Sequence, residues 1–195
     1  MALDSSTLQA SLLKGFVSSM TDSSFSSTVA SSVNTYCGTG IITAATLKGT
    51  VSAGTFMGSG SGTVTVSIAS KDIEDVCTNM RSDTKSYDDA YLAKELASII
   101  DKAVTNGEFN IIINGSATAG STTTSFTGVV TTDVTWQGDA STLESSLKDA
   151  MVPSMTDTSF ATAIATAVTT YLTSASITVK GENSLAGASG AGVMA

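Results

Sequence analysis

The chain contains no histidine, which removes the commonest general base and metal ligand together with every triad that relies on an imidazole. Asp72, Glu74 and Asp75 stand close together, as do Asp88 and Asp89, and clustered carboxylates are the raw material of a divalent-cation site. Neither group has the alternating loop spacing of a calcium site, so the spacing predicts ordinary helix N-terminal charge on solvated faces. Gly58-Ser59-Gly60-Ser61-Gly62 superficially resembles a phosphate cradle, yet no Gly-Lys-Ser/Thr follows and the next segment reads as a strand where a helix would be required. Asn114-Gly115-Ser116 matches a glycosylation acceptor and is more simply read as a turn. Cys37 and Cys77 are isolated cysteines of different surroundings. They read as buried thiols, with a disulfide left open. No residue is assigned a catalytic, cofactor-binding or metal-ligating role, and the chain reads as non-enzymatic.

Composition says more about surfaces than about reactions. Of 195 residues, 31 are Ser and 31 are Thr, while charged residues make up 13% against a typical quarter. The surface must therefore be largely hydroxyl-bearing. A net charge of −8 repels phosphate backbones and anionic lipid, so neither nucleic acid nor a membrane is an expected partner. Low charge density leaves wide neutral areas that lose little solvation when another protein covers them. No stretch approaches the roughly 20 consecutive apolar residues of a spanning helix, and no basic region followed by an apolar run marks an export signal.

The positioning elements emerge from an internal duplication. Residues 6–36 laid on 141–171 show sixteen identities without a gap, including Met20-Thr21-Asp22 on Met155-Thr156-Asp157, and Phe25, Val33 and Tyr36 on Phe160, Val168 and Tyr171. A weaker copy lies between them, where Asp89, Leu92, Leu96, Ile100 and Ala103 fall at the places of Asp22, Phe25, Val29, Val33 and Tyr36. The expected fold is α+β: three tandem divergent repeats over residues 1–68, 69–136 and 137–195, each a short helical hairpin followed by a β-hairpin.

Within the first unit, Leu8, Leu12 and Phe16, with Leu13 and Val17 beside them, form a helical stripe. Ser6-Thr7-Leu8-Gln9 reads as its capping box, repeated as Ser141-Thr142-Leu143-Glu144. Asp22 is expected to cap the second helix, which carries Phe25, Val29, Val33 and Tyr36 on one face and ends at Gly38. Pro153, the only proline, falls in the matching linker of the last unit and should break the helix before it. Phe25, Phe160, Tyr36 and Tyr171 read as core. Trp136 could be core or an interface anchor.

After each second helix the period changes to alternation. Ile41 to Val51 and Thr63 to Ile68 read as strands with Gly54 to Gly62 as a loop between them. Phe109 to Ile113 and Val129 to Trp136 repeat that plan around a loop through Gly120. In the middle unit the first helix is divergent, with apolar positions at Ile73, Val76, Cys77 and Met80. The charge gathered there and in Asp83 to Lys102 makes this unit the one expected to be most exposed, or to face a different partner. In the third unit Ile177 to Gly181 is a strand whose partner is truncated, leaving an open edge and a C-terminal tail that is either disordered or an assembly arm.

The Leu/Ser/Ala-rich opening Ser6 to Leu13, the run from Asp157 to Tyr171, and the Thr/Gly-rich β segment with its Gly-Ser-Gly-Ser-Gly run resemble small virion proteins of tailed bacteriophages. That resemblance implies a structural part of a capsid, neck or tail and baseplate. Its partners would be other virion proteins and copies of itself, and it would be made in the host cytoplasm and located in the virion. A surface adhesion or carbohydrate-binding module is the competing expectation, motivated by hydroxyl-rich strands and low pI.

Overall fold

The computed structural model describes residues 3–16, 20–82, 89–151 and 156–195. Val17, Asp83, Asp88, Pro153 and Met155 lie outside the described residues, and with them the proline break and the second carboxylate pair. The fold is α+β. Helices α1 (Ser5–Gly15) and α2 (Asp22–Thr39) precede β1 (Ile42–Val51) and β2 (Gly54–Thr65); α3 (Ser70–Ser82) and α4 (Asp89–Thr105) precede β3 (Glu108–Ala119), β4 (Thr122–Val130) and β5 (Val134–Gln137). Finally α5 (Ala140–Ala150) and α6 (Asp157–Ser174) precede β6 (Ser176–Lys180) and β7 (Ala188–Met194), with a 3-10 turn at Asn183–Leu185 between the two strands.

Helix starts are set by side-chain acceptors one or two residues away from those expected. Asp4, not Ser6, caps α1 by accepting from Ser6 N, and Asp139 caps α5 by accepting from Ser141 N and Thr142 N. An aspartate adds charge to the hydrogen bond at the positive end of the helix dipole, so it outcompetes the nearby serine. In the second helices Thr21 and Thr156 are the caps. Each forms a reciprocal box with a serine three residues on, Ser24 or Ser159, where a Glu or Gln is usual. Asp22 sits one residue inside, and α2 runs through Gly38 to cap at Gly40.

All seven strands belong to one antiparallel sheet in the order β4-β3-β2-β1-β7-β6-β5. Its two end strands, β4 and β5, are separated only by Thr131, Thr132 and Asp133, so the sheet curls until one edge runs into the other. Glu182 fastens this junction. One carboxylate oxygen accepts from Thr131 N (2.9 Å), Thr132 N (2.8 Å), Asp133 N (3.2 Å) and Thr132 Oγ1 (3.0 Å), and Lys180 N donates to Asp133 O at 2.9 Å.

Three strand expectations are corrected. Gly54 to Gly62 is not a loop: it forms most of β2, paired on both sides with β1 and β3. The turn is the two-residue Ser52-Ala53, followed by Gly54 at φ +121°, a backbone region where glycine is at ease. Glycine persists inside β2 because the Phe56 ring lies over it; a β-carbon at Gly58 would stand 2.6 Å from Phe56 Cζ, and one at the facing Gly115 2.5 Å. Covering backbone with an aromatic ring offsets what a side-chain-free strand lacks. Asn114-Gly115 is accordingly mid-strand, not a turn. The tail from Ala188 is no open arm: β7 is an inner strand between β1 and β6, and Ile41 and Ala195 exchange both backbone hydrogen bonds at 2.8 and 3.0 Å.

Inward-facing strand residues, among them Ile42, Leu47, Phe56, Ile111, Ile113, Ile177 and Val179, join the helix stripes in one core. Among the described residues the middle unit, residues 69–136, is the most exposed of the three, as its charge predicts, although α4 still buries Ala93, Leu96, Ala97, Ile100 and Val104 much as α2 buries its own face. Its charges occupy the outer side.

Candidate functional site

The carboxylates do not converge. Lys71 pairs with Asp75 one turn along α3, and Arg81 reaches back to Asp22 at 2.5 Å. Asp89 opens α4 as a first-turn acid. Among the described residues no group of three His, Cys, Asp or Glu side chains could hold a metal ion. The carboxyls most strongly held in their charged form do structural work. Backbone N–H groups hold Glu182 at about 2, and hydrogen bonds from Ser141 and Thr142 hold Asp139 at about 2.

Both cysteines are free thiols. Burial pushes Cys37 up to about 12 and Cys77 upward as well, which suppresses thiolate chemistry at neutral pH.

Of the repeated aromatics, Tyr36 and Tyr171 are buried in the core, whereas Phe25 and Phe160 are partly buried and pack against it. Phe16, Phe25 and Phe160 pack as a trio with ring centroids 5.8 to 5.9 Å apart. Trp136 is buried and donates from Nε1 to Tyr171 Oη at 2.9 Å; that hydroxyl donates onward to Asp101 Oδ1 at 2.5 Å. Burial and the neighbouring Asp101 both raise the Tyr171 phenol. Tyr36 pairs with Thr169 Oγ1 at 2.7 Å, and since Thr169 donates to Ala165 O, the tyrosine is the donor. Composition and spacing gave no sign of these cross-helix bonds.

The surface most distinct in character is the outward face of the sheet. Strands β2, β4, β5 and β7 carry no charged residue, and the exposed charges of the other strands are Lys48 of β1, Glu108 of β3 and Lys180 of β6. Register places Val129, Ile112, Ser61, Thr43 and Val193 in one row across β4, β3, β2, β1 and β7, and every member is exposed. A second row of four exposed threonines runs Thr123, Thr118, Thr55, Thr50. Between them lie Met57, Ser59, Asn114 and Thr127. Among the described residues the exposed large apolar side chains are Ile41, Met57, Ile112, Val129 and Val193, all on or beside this face. Such a surface can give up water at small cost but has nothing with which to activate a bond.

A cleft of about 480 Å³ lies where the end of β2 meets α3 and α4. It is walled by Ile68, Ile99 and Ala103 and rimmed by Thr65, Ser67 and Asn106. No described helix is long and apolar enough to cross a membrane. Comparison with known protein families, curated proteins and solved structures finds no match to this chain.

Proposed function

We propose that the chain is a non-enzymatic structural component of a tailed-phage virion, working through contacts with other virion proteins and with copies of itself. The observation that carries this reading is the charge-poor outer face of the sheet, whose row from Val129 to Val193 exposes three apolar side chains, with Lys48, Lys180 and Glu108 as its charged strand residues. On a molecule of net charge −8, a face with two lysines and one glutamate on its strands is where a second protein can approach with little like-charge repulsion. The Thr122 end of β4, away from the junction at Thr131 to Asp133, adds to it, since neither a charge, a proline nor a bulge guards that part of the edge, and unguarded edges invite pairing.

The body that presents this face we read as three tandem divergent repeats closed into a ring. Each second helix packs on the next unit's first: α2 on α3, α4 on α5, and α6 back on α1. The tyrosine bonds follow the same circle. Positions Tyr36, Ala103 and Tyr171 correspond, as do Asn34, Asp101 and Thr169. Tyr36 reaches Thr169 in the third unit and Tyr171 reaches Asp101 in the second.

The test is association. Purified protein should self-associate or bind virion partners in sedimentation experiments with little dependence on salt, because the contacting face carries few charges. Replacing both Ile112 and Val129 by Lys should abolish association while leaving the fold intact, both side chains being exposed. A protein that stays monomeric and is absent from purified particles by mass spectrometry would overturn the reading. No aromatic stands among the exposed large apolar side chains, so the outer face offers no stacking platform for sugars, and a glycan array should be blank.

A further inference from the structure

The cleft between β2, α3 and α4 has a filled counterpart. Counting back from the starts of α3 and α5, Ser70 and Ala140, Val66 stands where Trp136 stands and Ile68 where Gly138 stands. Ala103 stands where Tyr171 stands. In the filled seam the Trp136 and Tyr171 rings pack at 5.8 Å, and the glycine is required there, since a β-carbon at Gly138 would lie 2.5 Å from the Tyr171 ring. In the other seam two large aromatic rings are replaced by the side chains of Val66 and Ala103. Ile68 refills only part of the space, held by reciprocal bonds to Asn34 (Ile68 N to Oδ1 2.8 Å, Nδ2 to Ile68 O 3.1 Å). What is left is the 480 Å³ cleft, within the size range of small-molecule sites.

We infer that this cleft binds a small neutral phenol in the place of the absent tyrosine side chain, an inference that rests on the three-repeat reading. The ring would lie on Ile68, Ile99 and Ala103, and its hydroxyl would meet the polar rim of Thr65, Ser67 and Asn106. Asp72 and Glu108 outnumber Lys102 around the mouth, so a neutral ligand is favoured over an anion.

The probe is p-cresol, the tyrosine side chain as a free molecule, titrated into the native protein and followed by amide NMR. Saturable shifts confined to residues 65–68 and 98–108 are expected. Toluene should bind about tenfold more weakly, the equivalent of one neutral hydrogen bond. Ser98→Trp, at an exposed helical position on the rim, should block binding without disturbing the core. Shifts that never saturate, that scatter over the surface, or that survive Ser98→Trp would overturn the site. The double variant Ile68→Gly, Ala103→Tyr separates this from the reading beneath it. A melting temperature at or above the native one, together with lost p-cresol binding, supports both. A native-like melt with p-cresol inert on the native protein overturns the site and leaves the repeats standing, whereas a strongly lowered melt overturns the equivalence of the two seams.

Discussion

The two seams where a helical hairpin meets the strand before it differ in how their interiors are completed. At one, Trp136, Tyr171 and Asp101 form a hydrogen-bonded chain in which every buried polar atom has a partner. At the other, Ile68 and Ala103 wall a cleft open to solvent. On the three-repeat reading these are the same place in the frame. If so, closure of the proposed ring does not depend on any single seam: helix caps, strand pairing and the contacts between successive helices would keep the geometry, leaving seam interiors free to diverge. A filled seam should therefore be costly to damage, since its polar groups are buried, while the open one should tolerate change.

The sharpest break is Trp136→Ala, which removes a buried indole that no neighbour can replace. A loss of roughly 3–5 kcal/mol is expected, read as the shift in urea midpoint against Val66→Ala, where a smaller side chain is removed beside an existing cleft and the loss should be nearer 1 kcal/mol. Equal losses would dissolve the distinction between the seams. Tyr171→Phe comes next. It keeps the ring but leaves the buried Trp136 N–H without an acceptor and Asp101 without its donor, for about 1–3 kcal/mol. Tyr36→Phe should cost less, about 0.5–1.5 kcal/mol, because Thr169 keeps its bond to Ala165 O.

How much of this could be read in the sequence divides along the range of the forces. The second helices were legible because their determinants are local: Phe25, Val29, Val33 and Tyr36 lie on one face, and their counterparts in α6 repeat the pattern. Cap positions slipped by one or two residues because Asp, Ser and Thr compete for the same orphan N–H groups, and sequence gives the candidates but not the winner. The glycine run misread as a loop, since what makes it a strand is the Phe56 ring and the β3 backbone beside it. Nothing within the run announces either. The last strand was missed for the same reason: Ala188 to Met194 has weak intrinsic β preference and becomes a strand through pairing with β1 and β6. The charge-poor outer face follows from the scarcity of charge, but the alignment of Val129, Ile112 and Val193 depends on register across five strands.

The two capping boxes offer a smaller-scale test of whether corresponding places behave alike. Thr21 and Thr156 bond their partner serines with the same distances, 3.2 Å from the serine N to the threonine Oγ1 and 2.9 Å from the threonine N to the serine Oγ. Thr21→Ala and Thr156→Ala should each cost about 1 kcal/mol, equal within error in thermal melts. A twofold difference would show that the first and last helical hairpins, alike in sequence, carry unequal shares of stability.

The smallest effect is at the sheet junction, where Glu182 decides whether charge or shape joins the two edges. Glu182→Gln keeps an acceptor oxygen for Thr131, Thr132 and Asp133 but removes the negative charge those three N–H groups favour, so the variant should melt slightly lower at neutral pH. The sign of its pH dependence follows from the shift. The folded carboxyl titrates at about 2, below its ordinary 4.5. Its contribution is thus fully present above 4.5 and disappears as pH falls toward 2. Asp4 and Asp139 titrate in both proteins and cancel in the comparison. The gap between native protein and variant should therefore narrow steadily from pH 5 to pH 2. A gap that stays constant would mean that the junction is held by the shape of the acceptor alone, and that the short bridge from β4 to β5 closes the sheet without electrostatic help.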